Sequence, residues 1–171
     1  MKYRDEGFTL IEIIVSIAVI GLVITAVFNI NLAGWQFYNY NQDRVEIKND
    51  ARLISTNLER QIRKSTGAIL QDIMGDNSLD LILSNGDTDG DGNINYKIFF
   101  VEDSQLKIGD INGTINSSNV FNIKQITGNH ITNNDYFSIP GPNNLVSFYF
   151  QLQKDNSSYK ISNKFYPRAI N

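Results

Sequence analysis

The sequence predicts an α+β protein: a long N-terminal α-helix, half transmembrane and half amphipathic, packed on a C-terminal antiparallel β-sheet. Three observations predict it. Between Ile13 and Ile30 no side chain is ionised, and at ~1.5 Å per residue that run approaches the ~30 Å hydrocarbon thickness of a bilayer. From Ile47 to Ile62 apolar residues recur at helical spacing. After Gly67 the pattern changes to short alternating segments rich in β-branched and aromatic residues, divided by Asn, Gly and Ser.

Bulk properties narrow the function. Of 171 residues, roughly 135 lie beyond the apolar run, enough for one small domain. The net charge is -3 and the pI about 5.1, and the 15 Lys and Arg are scattered, so no basic patch argues for nucleic acid. There is no cysteine, so the loops are held without disulfides.

The chain begins with a short charged leader, residues 1–7, in which Lys2 and Arg4 fit a cytoplasmic side and Asp5 and Glu6 dilute that charge. Residues 8–35 form the span. Glu12 lies just inside its start, and no basic residue follows before Arg44. A carboxylate in a span costs roughly 2.5–3.5 kcal/mol at its centre, so a partner is expected from outside the helix or from a newly made amine. Ser16 and Thr25 return their hydroxyls to the backbone. Trp35, Phe37, Tyr38 and Tyr40 mark an aromatic belt where the far interface begins.

Gly7-Phe8-Thr9-Leu10-Ile11-Glu12 resembles the cleavage and methylation site of type IV prepilins and of type II secretion pseudopilins. The resemblance implies that prepilin peptidase cuts between Gly7 and Phe8 and methylates Phe8. Glu12 would then pair with the N-terminal ammonium of a neighbouring subunit during filament assembly. Asn29 and Asn31 stand where some members of the family carry a helix-bending proline. Two plainer readings stand beside this one. A secretory signal peptide has a shorter apolar core, of ~7–15 residues, and a small-residue cleavage site. A simple single-span anchor leaves Glu12 beside Gly-Phe-Thr-Leu unexplained.

Residues 36–66 continue as the amphipathic half of the helix. Ile47, Ala51, Ile54, Leu58 and Ile62 form one stripe, while Asp43, Lys48, Arg52, Glu59, Arg60 and Arg63 fall mainly elsewhere. The segment from Gln42 to Thr66, and the ending KFYPRAIN, are similar to minor pilins and pseudopilins of the PilW and PulJ type. That similarity implies the pilin fold, few copies per filament, and a place at the tip where assembly starts.

Residues 67–171 read as a β-rich head. Strands are expected at Leu79–Leu83, Ile94–Val101, Gln105–Ile108, Val120–Ile126, Leu145–Leu152 and Tyr159–Tyr166. Asp103-Ser104 suits a tight turn, and Pro140-Gly141-Pro142 ends what precedes the last two strands. Asp87, Asp89, Asp91, Asn93 and Asn95 follow the spacing of an EF-hand calcium loop, with Gly92 at its bend. Its twelfth position is Ile98, where that loop needs a bidentate Glu, and Asp and Gly are equally at home in a polar hairpin.

No enzyme can be assembled. The sole histidine, His130, sits in a polar loop and reads as surface, and cysteine and phosphate-binding loops are missing. The expected product is a minor pilin-like structural subunit of a bacterial cytoplasmic membrane, its head outside. It then passes into a cell-surface pilus or a pseudopilus. Its expected partners are prepilin peptidase, other pilins or pseudopilins, an inner-membrane assembly platform and, before assembly, lipid. A membrane-anchored extracellular binding module without a filament role is the alternative.

Overall fold

A computed structural model describes residues 8–86, 90, 92–140 and 145–168. Its first element is one helix, α1 (Leu10–Ile62), 53 residues long. Helix continues through Asn29 and Asn31, where Asn31 Nδ2 donates to the Val27 carbonyl at 2.9 Å. Ser16 and Thr25 bond the carbonyls four residues back, as side chains with no better partner in an apolar stretch do. The chain divides into two compact units, Met1–Gln42 and Asp43–Asn171.

Within the described part of the first unit, helix residues are almost all exposed and largely apolar. An 18-residue window reaches a mean hydropathy of 2.8 and is 0% buried. It is therefore long and apolar enough to cross a membrane.

The described residues of the second unit carry the amphipathic half of α1 and eight strands. Ile47, Ala51, Ile54, Leu58 and Ile62 are buried, as their spacing predicts. The helix ends where Ser65 donates its hydroxyl to the Ile62 carbonyl, and Thr66 already pairs with Ser84. Strands β1 (Gly67–Gln71), β2 (Asp80–Ser84), β3 (Asn95–Glu102), β4 (Gln105–Asn112) and β5 (Val120–Gln125) form an antiparallel sheet in sequence order. Strands β6 (Phe137–Ser138), β7 (Val146–Lys154) and β8 (Ser157–Phe165) form a second, three-stranded one.

The expectation of one sheet is thus refined to two, and β1 and β6 are additions. β1 is five residues that begin after a four-residue turn from the helix, and β6 is two residues whose pairing depends on β7. β6 is too short to show a period. Asp103 and Ser104 form the two-residue turn between β3 and β4, with φ of 54° and 61° and Glu102 paired to Gln105.

Alternation along the strands gives the five-stranded sheet two apolar faces. Leu81, Leu83, Phe99, Val101 and Leu106 join the helix stripe and Val146, Phe148, Phe150, Leu152 and Phe165 of the smaller sheet in the main core. Ile82, Ile98, Phe100 and Ile111 form a second core on the other face, covered by Ile73, Met74, Ile115 and Val120. Phe165 lies under Arg63, whose guanidinium carbon is 5.4 Å from the ring centroid, and the Arg168 N–H donates to the Ser65 carbonyl at 2.8 Å. The last residues described therefore return to the end of the helix.

Candidate functional site

Gly7 lies outside the described residues. Phe8 follows it fully in the open, 85% exposed. Thr9 then caps the helix. Its N–H and its hydroxyl both donate to Glu12 Oε2, at 2.8 and 2.9 Å, and the Glu12 N–H reaches Thr9 Oγ1 at 3.4 Å and the Thr9 carbonyl at 3.1 Å. This is a reciprocal capping box: a hydroxyl residue, two spacers and a glutamate satisfy each other's first-turn donors. It explains why helix begins at Leu10.

The cap changes the expectation for Glu12. Hydrogen-bond donors come from the helix's own first turn, so an outside partner is not needed to satisfy the carboxylate. Charge is another matter. Thr9 is neutral, and among the described residues Glu12 has no ion pair. The side chain is thus held in a fixed place, aligned by the helix terminus, with its negative charge uncompensated. Thr9 is the functional residue that sequence reasoning passed over, and the signal was the Thr-x-x-Glu spacing itself.

A second cluster sits on the amphipathic half of the helix. Asp50 is buried at 6% exposure, and its Oδ2 lies 2.8 Å from His130 Nδ1 and accepts the Gly128 N–H at 2.9 Å. The other ring nitrogen of His130 faces Glu46 Oε1 at 3.4 Å. Lys154 donates to Glu46 and lies 3.5 Å from Asp43 Oδ1. This ammonium draws the Glu46 carboxyl below the usual range, and Glu46 raises Lys154 in turn. His130 is therefore a buried clasp residue, 5% exposed, and the expectation of polar surface is overturned. Backbone bonds hold it: Ile131 N–H to Ser104, and Gln153 N–H to the His130 carbonyl at 2.7 Å. Gly128 leaves no room for a side chain, since a Cβ there would stand 2.8 Å from His130 Cε1.

The proposed calcium ligands fare differently. Asp87, Asp89 and Asp91 lie outside the described residues, while Asn93 precedes β3 and Asn95 opens it. Ile98, the twelfth position of the loop pattern, is fully buried in the second core. It packs there as an apolar side chain and offers no oxygen. Among the described residues no group of three His, Cys, Asp or Glu side chains is arranged to hold a metal ion.

Comparison with known proteins adds one match. Residues 2–28 fit the family model described as the prokaryotic N-terminal methylation motif. No curated protein and no solved structure matches the chain. The matched motif is typical of type IV pilins and pseudopilins, whose processing enzyme is prepilin peptidase, and it points to a structural subunit.

Proposed function

We propose that the chain is a minor type IV pilin-like subunit, cut between Gly7 and Phe8, methylated on Phe8, and assembled near the tip of a type IV pilus or type II secretion pseudopilus. One observation supports this reading most directly: the methylation motif runs through the capped carboxylate of Glu12 into an apolar helix that the chain leaves uncovered. Before assembly, lipid covers that surface. On assembly, neighbouring helices replace lipid, a change that gains little from hydrophobicity and depends on side-chain packing and on neutralising Glu12. The ammonium of a neighbour's Phe8 would supply the positive charge that Thr9 does not.

The similarity of residues 42–66 to PilW- and PulJ-type minor subunits supports low copy number. The deciding experiment is the intact mass of the full chain from its native membrane, with and without prepilin peptidase. A mature chain starting at methylated Phe8 is expected. A chain that keeps Met1, or is cut after the span, overturns the proposal and leaves an anchored or secreted binding domain. Deletion of the chain should reduce filament number while leaving the major subunit's level unchanged, and an unchanged filament number refutes the priming role.

A further inference from the structure

Along most of the amphipathic half of α1 the contact with the five-stranded sheet is apolar. At one margin it is not. A groove of about 390 Å³ opens there between helix residues Asn57, Arg60 and Gln61 and the outer part of β4 and β5. Lys97 and Asp110, cross-strand partners, form an ion pair in its lining, and Asn122 joins them through Nδ2, which donates to Asp110 Oδ2 at 3.3 Å. That pair is electrically closed.

Arg60 and Lys124 are not. Neither takes part in an ion pair among the described residues, whereas neighbouring Arg63 holds Glu59 at 2.9 Å and Lys107 holds Glu102 at 2.6 Å. Among the described residues the side chain of Arg60 bonds only Asn57 Oδ1, at 3.2 Å. Lys124 stands opposite Ile108, which packs against the main core, so it shares the helix-facing side of the sheet. Two uncompensated positive charges thus converge on one groove of a chain whose net charge is -3.

The backbone is shaped around this place. The β4–β5 register slips between Ile108 and Asp110, and Asn122 adopts φ of 53°, a left-handed conformation that asparagine takes more readily than other non-glycine residues. Its bond to Asp110 holds the side chain at the groove. Among the described residues the lining holds no aromatic ring, so a nucleobase or sugar would find nothing to stack on. What the groove offers is N–H donors with positive charge, the recognition chemistry of an oxyanion.

We infer that this groove binds an oxyanion, a carboxylate or phosphate group borne by a ligand from outside the chain, through Arg60 and Lys124. The test uses the full ¹⁵N-labelled chain in neutral detergent micelles at constant ionic strength. It is titrated with inorganic phosphate, then with polyglutamate at equal oxyanion concentration. Saturable amide shifts at Gly109, Asp110 and Asn122–Gln125 are expected. Affinity should fall roughly tenfold or more in Arg60→Gln/Lys124→Gln, because both charged donors are removed, and stay unchanged in Lys64→Gln, which lies outside the groove. Tighter binding of polyglutamate identifies a polymer as the source of the anion, and equal binding identifies a small one. Shifts that rise without saturation across the whole spectrum, or that survive the double substitution, overturn the inference.

Discussion

Replacing Asp80 with Asn should stabilise the protein at neutral pH. Asp80 opens β2 and has no exposed surface. Its Oδ2 accepts the Ile73 and Met74 N–H groups at 2.9 and 3.2 Å, while Oδ1 is buried without a partner. Burial pushes its carboxyl from 3.8 up to about 6. The two amide donors pull back only in part, and the nearby charges of Asp76 and Asp72 push further. The native state therefore holds a proton that the unfolded chain has released, and stability falls as pH rises from about 4 to about 6. A gap of ~2 pH units at ~1.36 kcal/mol each gives a loss of about 3 kcal/mol by pH 7.

Asp80→Asn keeps an oxygen for Ile73 and Met74 and removes the charge. Denaturant unfolding of the full chain in micelles, followed by far-ultraviolet circular dichroism between pH 3 and pH 8, should show the wild type losing that stability through the window. The variant should lack that loss, and lie about 3 kcal/mol above it at pH 7.5. At pH 3 the two should agree within ~1 kcal/mol. Parallel pH profiles, or a variant less stable at pH 7.5, would refute the reasoning.

Three further outcomes are expected. His130→Ala removes the ring that bonds the buried Asp50 carboxylate and leaves it the Gly128 N–H, and should cost about 1–3 kcal/mol in the same unfolding assay, as leaving a buried acceptor without its partner does. Ser104→Gly relieves a left-handed residue in the β3–β4 turn and should raise stability by about 0.5–1 kcal/mol, read as a higher denaturation midpoint with unchanged slope. If the loop from Asp87 to Asn95 holds calcium, millimolar Ca²⁺ should raise the melting temperature over an EDTA control. Asp87→Asn/Asp89→Asn/Asp91→Asn should abolish that rise, and no rise in the wild type counts against the site.

Most of the fold was legible because the signals that carry it are periodic. The stripe from Ile47 to Ile62 spans several helical turns, and each of the six expected strands overlaps an observed one. β4 extends to Asn112, four residues beyond its expected end, because Gly109 and Asp110 look like a turn yet pair with Ile98 and Lys97. Gly109 is required there: a Cβ would stand 2.7 Å from Val120 Cγ1.

His130 was misread because its burial is decided by Asp50, 80 positions away, and no local pattern encodes such a contact. A clue did exist on the helix. Asp50 falls three residues after Ile47 and four before Ile54, inside the apolar stripe, where a carboxylate is rarely buried unless paired. At the N-terminus the motif marks Glu12 plainly, but the contribution of Thr9 becomes clear only with the cap geometry.

The clasp also redistributes charge. The stretch from Asp43 to Arg52 is neutral by composition, with three acids and three bases. Folding turns Asp43 and Glu46 toward the Lys154 ammonium and buries Asp50 against the His130 ring. Arg44, Lys48 and Arg52, one helical turn apart from each other and all exposed, have no such partner among the described residues. To anything that approaches from solvent, this length of helix is a row of cations that the composition does not reveal.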